Sequence, residues 1–231
     1  MAERNIFVPN GKKVGVFVFP IKFKWFPGMS VSQKQKSVLS LHEEARRQTK
    51  IENIMEISSK SLNPIGIELS AFNLSFQTNA DRKITVESAF QGSKVFEYGG
   101  PFKDLYEKRS IDAKKDPRLK SSGLLKKFLF FKEEFPITPR TFFYDWIYIN
   151  ALNKRTDLHT EILRQNAFSD IEFNAEKSIN CQAYSVALFV SLYKNDLLKQ
   201  ALSDKNVFLD ILKETYKFRD QQLEDNFNIL L

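Results

Sequence analysis

Apolar and polar positions recur along this chain with two periods, near two in parts of the first half and near 3.6 elsewhere. Gly15 to Phe26 alternates weakly and is rich in Val, Phe and Ile. That pattern predicts one or two strands bent at Pro20. Ser30 to Lys50 has helical spacing, with Val31, Val38, Leu39 and Leu41 as its expected core positions. Ile54 to Ile57 reads as a short strand that ends in Ser58-Ser59-Lys60-Ser61 and a turn at Asn63-Pro64. Leu69 to Phe76 reads as extended, with a turn at Asn79-Ala80-Asp81. Phe128 to Phe131 reads as aromatic core or strand. Helices are expected from Pro139, through Phe142, Phe143, Trp146, Ile149 and Leu152, and again over 158–165 and 177–198. Asn206 to Leu230 predicts one or two amphipathic helices. No glycine follows Gly123, which suits a helical second half.

The segment Ile84 to Lys94 carries the sharpest signal. It predicts a short strand turning into a helix that is capped by Thr85 and stopped at Gly99-Gly100-Pro101. At 100° per residue, Glu87, Gln91 and Lys94 fall within about 40° to 60° of one another. The other positions, Ala89, Phe90, Val95 and Phe96, are apolar or small. An acid, an amide and an amine in one narrow row on an otherwise buried helix face a polar network or a cleft. On spacing alone, Glu87 also fits an ordinary first-turn acid favoured by the helix dipole, and Lys94 an ordinary surface lysine.

Composition narrows the function classes. The chain has 231 residues, 42% of them hydrophobic and 22 of them Phe, enough for a ring-rich core. A net charge of +7 suggests a polyanionic substrate or partner. The basic stretch Lys114 to Lys127 contributes Lys114, Lys115, Arg118, Lys120, Lys126 and Lys127 against the single acid Asp116. It fits a solvated loop or a phosphate contact. One cysteine, Cys181, excludes an internal disulfide and fits a reducing compartment. With His42 and His159 as the only histidines there is no zinc constellation, and no metal or cofactor is expected. No run approaches a membrane span, and the N-terminal stretch lacks signal-peptide character. The expectation is a cytoplasmic protein without Walker A, G-x-G-x-x-G or G-x-S-x-G motifs.

Leu69-Ser70-Ala71-Phe72-Asn73, followed by Val86-Glu87-x-Ala89-Phe90-Gln91-x-x-Lys94, resembles the core of NADAR domains. The Asp145-Trp146 pair resembles a D-W pair of the same family. Ala71 stands before Phe72 where the family has Asn, and Asn73 follows. Further segments agree in order: Phe23-x-Trp25-x-Pro27-Gly28, Ser32 to Lys36, Glu56 to Ser61, Asp116 to Lys120, Phe168 to Asn174 and Lys177 to Ala183. Over roughly residues 15 to 192 the chain is similar to NADAR antitoxins paired with DNA ADP-ribosyltransferase toxins. That resemblance implies an α+β fold, mainly helical, in a single domain with short strands in the N-terminal half. It divides the chain into a NADAR-like part, residues 1–192, and a C-terminal helical extension, residues 193–231, packed on it.

The implied activity is removal of ADP-ribose from guanine bases in DNA by hydrolysis of the N-glycosidic bond. The implied partners are ADP-ribosylated DNA and the cognate toxin. Glu87 takes the carboxylate role. Lys94 acts either as an ammonium that polarises the leaving group or, once burial has lowered its pKa, as an amine that forms a Schiff base. An apolar setting favours the second role and the neighbouring Glu87 favours the first. Gln91 orients Glu87 or binds ribose. Ser58, Ser59 and Lys60 fit a pyrophosphate site or a capped turn. Ser70, Asn73, Phe90, Trp146 and Asn180 complete the ADP-ribose set, although Phe90 and Trp146 also fit a core. Lys114, Lys115 and Arg118 fit a DNA contact. Where many family members carry an acidic D-x-x-W-G segment, this chain has Lys177 to Gln182, so a third carboxylate is left unassigned. Two other readings are a non-catalytic ADP-ribose, NAD or toxin-binding module and an N-glycosidase acting on a small metabolite.

Overall fold

The computed structural model describes residues 1–77, 82–175 and 178–228, with side chains through residue 221. The expected turn at Asn79 to Asp81 and the residue Lys177 lie outside the described residues. The fold is mixed α+β, with helices predominating. Its contacts gather into two compact units, one of Met1–Ser70 with Arg155–Leu231, the other of Ala71–Lys154.

The first unit holds a four-stranded sheet of order β2-β1-β9-β3. Strands β1 (Ala2–Pro9) and β2 (Val16–Phe23) form a long antiparallel pair, and β3 (Ile54–Glu56) runs parallel to β9 (Ala167–Ser169). Pro20 sits opposite Asn5 on the edge strand, where its missing N–H breaks no ladder. Helix α1 (Val31–Thr49) begins at Ser30, whose hydroxyl accepts from the Gln33 N–H. Its buried face is Val38, Leu41, His42 and Ala45, an i, i+3, i+4, i+7 stripe. Val31 and Leu39, expected in the core, are 49% and 56% exposed. Leu39 is turned about 100° from Val38, and Val31 lies in the first turn. Ile6, Ile21, Phe23, Ile54 and Ala167 complete this core. Asn63 caps the short helix α2 (Pro64–Glu68). Arg155 precedes α7 (Thr156–Leu163), and α8 (Gln182–Lys194), buried almost throughout, packs on β1 and β9. The last elements among the described residues are α9 (Leu198–Ala201) and one long helix, α10 (Lys205–Asn228).

The second unit holds two small sheets. β4 (Ser75–Gln77) pairs with β5 (Lys83–Thr85), while β6 (Lys94–Phe96), β7 (Leu125–Phe130) and β8 (Glu133–Phe135) form an antiparallel meander. Of the expected extended stretch, Leu69 to Phe76, only Ser75 and Phe76 are strand, because Ala71 to Asn73 turn to meet the start of α3 (Val86–Gly92). A 3-10 turn at Lys103–Glu107 follows β6. The basic stretch is not one loop: it contains α4 (Ser110–Lys114), α5 (Arg118–Ser121) and the start of β7. Helix α6 (Phe142–Asn153) begins after Pro139 rather than at it. The core is a ring stack: Phe128 lies 4.6 Å from Phe143, and Phe90 lies 5.4 Å from Phe128 and 5.3 Å from Tyr144.

Candidate active site

Helix α3 is short and buried along its whole length. Thr85 caps it through the Ser88 N–H, and the Glu87 N–H donates to the Ala71 carbonyl at 2.9 Å. The helix was expected to continue through Lys94, but it stops at Gly92. Ser93 caps the end, its hydroxyl donating to the Ala89 carbonyl at 2.7 Å, and Lys94 then pairs with Phe128 as the first residue of β6. Sheet pairing captures the chain two residues before the stripe would be complete.

The three side chains nevertheless meet. Lys94 Nζ donates to Gln91 Oε1 at 2.7 Å, and Gln91 Nε2 donates to Glu87 Oε1 at 2.9 Å. The amide is therefore fixed in orientation, acceptor toward the amine and donor toward the carboxylate. Glu87 and Gln91 are 6% and 7% exposed. Lys94 Nζ stands 4.7 Å from the centre of the Phe90 ring. Burial pushes the Lys94 amine down from 10.5 to about 8; the Glu87 charge opposes this and the Lys114 charge adds to it. Phe90, expected as a ligand-stacking ring, is 8% exposed and packed among Phe128, Phe143 and Tyr144. It forms the floor beneath Lys94.

Other expected residues of the second unit fall elsewhere. Asn73 is exposed in the turn before β4. Trp146 lies on the wall of a cleft of about 1410 Å³, whose walls do not include Glu87, Gln91 or Lys94. Lys114 is exposed with Nζ 5.3 Å from the Phe72 ring, and Lys115 is also exposed. Arg118 differs: it binds Asp116 at 2.8 Å and Asp104 at 2.6 Å, and Lys108 binds Asp116 at 3.0 Å. The two cations hold the Asp116 carboxyl well below the usual range. Arg118 therefore anchors this segment, and its charge is already matched by acids.

Ser58, Ser59, Lys60, Ser70 and Asn180 belong to the first unit. Ser58 is buried and accepts from the Lys60 N–H at 3.1 Å, the bond of a capped turn. Ser59 is exposed, Lys60 half-buried and Ser70 buried. Asn180 Oδ1 is buried without a hydrogen-bond partner. The same unit contains a buried polar network that the sequence reading did not name. The Ser169 hydroxyl donates to Glu56 Oε2 and accepts from His42 Nε2 at 2.8 Å, which fixes the Nε2–H tautomer. The Ile171 N–H donates to Glu56 Oε1 at 2.8 Å. Burial lowers the His42 pKa to about 3 and raises those of Glu56 and Asp170. A histidine in the apolar stripe of α1 was the available signal. Among the described residues no three His, Cys, Asp or Glu side chains gather as a metal site, and no helix is long and apolar enough to cross a membrane.

Residues 2–222 match the family model described as DarT1-associated NADAR antitoxin. The chain belongs to that family. No curated protein matches it. Membership gives this NADAR protein an antitoxin role and a DarT1 toxin as its associated partner. Its family-like segment Glu87 to Lys94 is the same segment that carries the Glu87–Gln91–Lys94 chain.

Proposed function

We propose that this antitoxin is an ADP-ribosyl hydrolase that removes ADP-ribose from guanine bases in DNA and so reverses the toxin's modification. The observation that carries the reading is a half-buried amine, down to about 8, hydrogen-bonded through Gln91 to a buried carboxylate. At pH 7.5 about a quarter of such amines are neutral, against about one in a thousand at the ordinary value. A neutral amine donates one N–H to Gln91 Oε1 and keeps its lone pair for attack.

In this mechanism the bond between the ribose anomeric carbon and the guanine amino nitrogen breaks. Lys94 Nζ bonds to the anomeric carbon, the ring oxygen's bond to that carbon also breaks, and the amine's two protons end one on the guanine nitrogen and one on the ring oxygen, giving a Schiff base with the opened sugar. Glu87 stabilises the positive charge that builds on that carbon and then activates water. The water oxygen adds to the carbon, the carbon–Nζ bond breaks, and ADP-ribose and free Lys94 are restored. Gln91 keeps the amine and the carboxylate in register.

The test uses an oligonucleotide carrying ADP-ribosyl-guanine, incubated with wild type, Glu87→Gln and Lys94→Ala, with released ADP-ribose read by mass spectrometry. Glu87→Gln should lower turnover about a hundredfold or more, and Lys94→Ala should abolish it. Cyanoborohydride should trap a covalent adduct on Lys94. Loss of turnover in both variants without a trapped adduct assigns Lys94 the ammonium role. Near-normal turnover by Lys94→Ala overturns the mechanism. Binding of ADP-ribose without any release by wild type makes the protein a sensor or a sequestering module.

A further inference from the structure

The cleft in the second unit has a chemistry of its own. It lies between the β4–β5 strand pair, the β7–β8 hairpin, the 3-10 turn at Lys103–Glu107 and helix α6. Its volume of about 1410 Å³ exceeds the roughly 300–1,000 Å³ of a small-molecule pocket. Six rings stand on its walls: Phe76, Tyr106, Phe130, Phe131, Phe135 and Trp146. They stand in two groups, Phe130 lying 5.6 Å from Phe76, 6.2 Å from Tyr106 and 4.6 Å from Phe131, and Trp146 lying 6.4 Å from Phe135, with Phe143 behind the walls joining Phe130 to Phe135.

The charges on these walls do not cancel. Lys83, Lys103, Lys132 and Lys154 are all exposed, and none has an ion-pair partner among the described residues. Of the acids on these walls, Asp104 is held by Arg118 and Lys108, and Glu107 by Arg82. A large cleft lined by rings and unpaired lysines attracts a ligand that offers flat faces and repeated negative charge together.

Phe131 sharpens the reading. It occupies the first position of the two-residue turn between β7 and β8, with φ of 52°. Glycine and asparagine adopt that left-handed conformation easily, whereas a bulky residue is strained there. Its ring is also 48% exposed. The position thus carries backbone strain and recovers little burial in return. Lys132 completes the turn and stands on the same cleft.

We infer that this cleft binds a single-stranded polynucleotide, with bases stacking on the Phe76–Phe130–Phe131–Trp146 side and phosphates meeting Lys83, Lys103, Lys132 and Lys154. Rings beside lysines are the combination that holds unpaired strands without reading their sequence. A duplex keeps its bases stacked inside and offers no faces to these rings. The inference rests on the proposed hydrolase reading for why a strand comes to this protein, and it gives that substrate a hold separate from the Glu87–Gln91–Lys94 chain.

The probe is a fluorescein-labelled oligodeoxythymidylate without ADP-ribose, titrated with the full chain and followed by anisotropy at several salt concentrations. An oligouridylate and a duplex of equal length run alongside. The strand should bind more tightly than the duplex, and comparison of the two single strands shows whether DNA or RNA is preferred. Phe131→Asn should bind the strand about tenfold more weakly, while its melting temperature stays equal or rises because asparagine accepts the left-handed turn. Lys132→Gln/Lys154→Gln should reduce the slope of log affinity against log salt by about 1.4. Wild-type affinity in Phe131→Asn, or a duplex bound as tightly as the strand, would overturn the inference. The probes carry no glycosidic bond to ADP-ribose, so failure here leaves turnover on modified DNA standing, and failure of turnover leaves strand binding standing.

Discussion

Lys94→Met tests the buried amine without any substrate. The pKa of Lys94 falls from 10.5 in the unfolded chain to about 8 in the folded one. The unfolded chain therefore holds the proton more tightly, and stability rises with pH across that window. Below about pH 8 the full cost is present, at most about 3 kcal/mol; above about 10.5 it is gone. Methionine has similar length and no charge, but it leaves Gln91 Oε1 without the 2.7 Å donor it now has, a loss of about 1 kcal/mol. At pH 7 the variant should be more stable than wild type by about 2 kcal/mol. The clean quantity is the change with pH, because the lost hydrogen bond and the added methyl contribute equally at both ends. Between pH 7 and pH 10 the advantage should shrink by about 2 kcal/mol. Urea denaturation of both proteins at the two pH values measures it. A difference that does not move with pH would mean that Lys94 titrates as an ordinary lysine, and the Schiff-base route would lose its nucleophile.

Three other perturbations probe the frame around the site. His42, with its pKa lowered to about 3 by burial, stays neutral in the folded protein while the unfolded chain takes up a proton from about 6.5; its contribution to stability should fall by about 2 kcal/mol from pH 7 to pH 5, against Glu56 and Asp170, whose raised pKa values act the other way, and the difference between wild type and His42→Gln in urea denaturation should change by that amount. Gly92→Ala places a methyl 2.5 Å from the Tyr106 ring, which is pinned by a 2.9 Å bond between its hydroxyl and Ser93 Oγ; a loss of about 1–3 kcal/mol is expected in thermal melts, and a wild-type melt would show that Tyr106 yields. Lys114→Gln/Lys115→Gln should flatten the salt dependence of activity on DNA. Arg118→Gln should instead lower stability at neutral pH, with the deficit fading as acid protonates Asp116 and Asp104.

The outline of the fold was legible where periodicity is long. The helix from Ser30 follows from spacing and its cap, the strand to Phe23 from its Val, Phe and Ile content, and the helical character of the terminal segment from its periodicity, which left open one helix or two. Strands β1 and β9 were missed for physical reasons. Ala2 to Pro9 places Glu, Arg and Asn in succession before its apolar residues, and β9 has only three residues, all buried. A central strand covered on both faces shows no alternation. The end of α3 was misplaced because Gly92-Ser93 is a weak local stop beside Gly99-Gly100-Pro101; Ser93 caps the helix there, and Lys94 then pairs with Phe128, a partner 34 positions away that only the folded chain supplies.

That misplacement did not separate the three polar side chains, and the reason bears on the chemistry. A lysine on the same helix, one turn above Gln91, would share the helix's rigid frame with the carboxylate and the amide. As the first residue of a strand, Lys94 instead reaches back over Phe90 toward Gln91 from the sheet side, so that the ring stack of Phe90, Phe128 and Phe143 lies beneath its amine. The apolar floor is what lowers the amine, and the sheet is what brings the amine to the floor. The helix supplies the carboxylate and the amide, the meander supplies the amine, and neither element alone contains the chain of donors and acceptors. The row of residue types was therefore readable from sequence, while the cause of the lowered pKa was not. The same holds for the cleft, whose rings come from β4, β7, β8, α6 and the 3-10 turn and carry no common spacing along the chain. Its one local signal was Phe131 standing at the first position of a two-residue turn, where positive φ ordinarily calls for glycine.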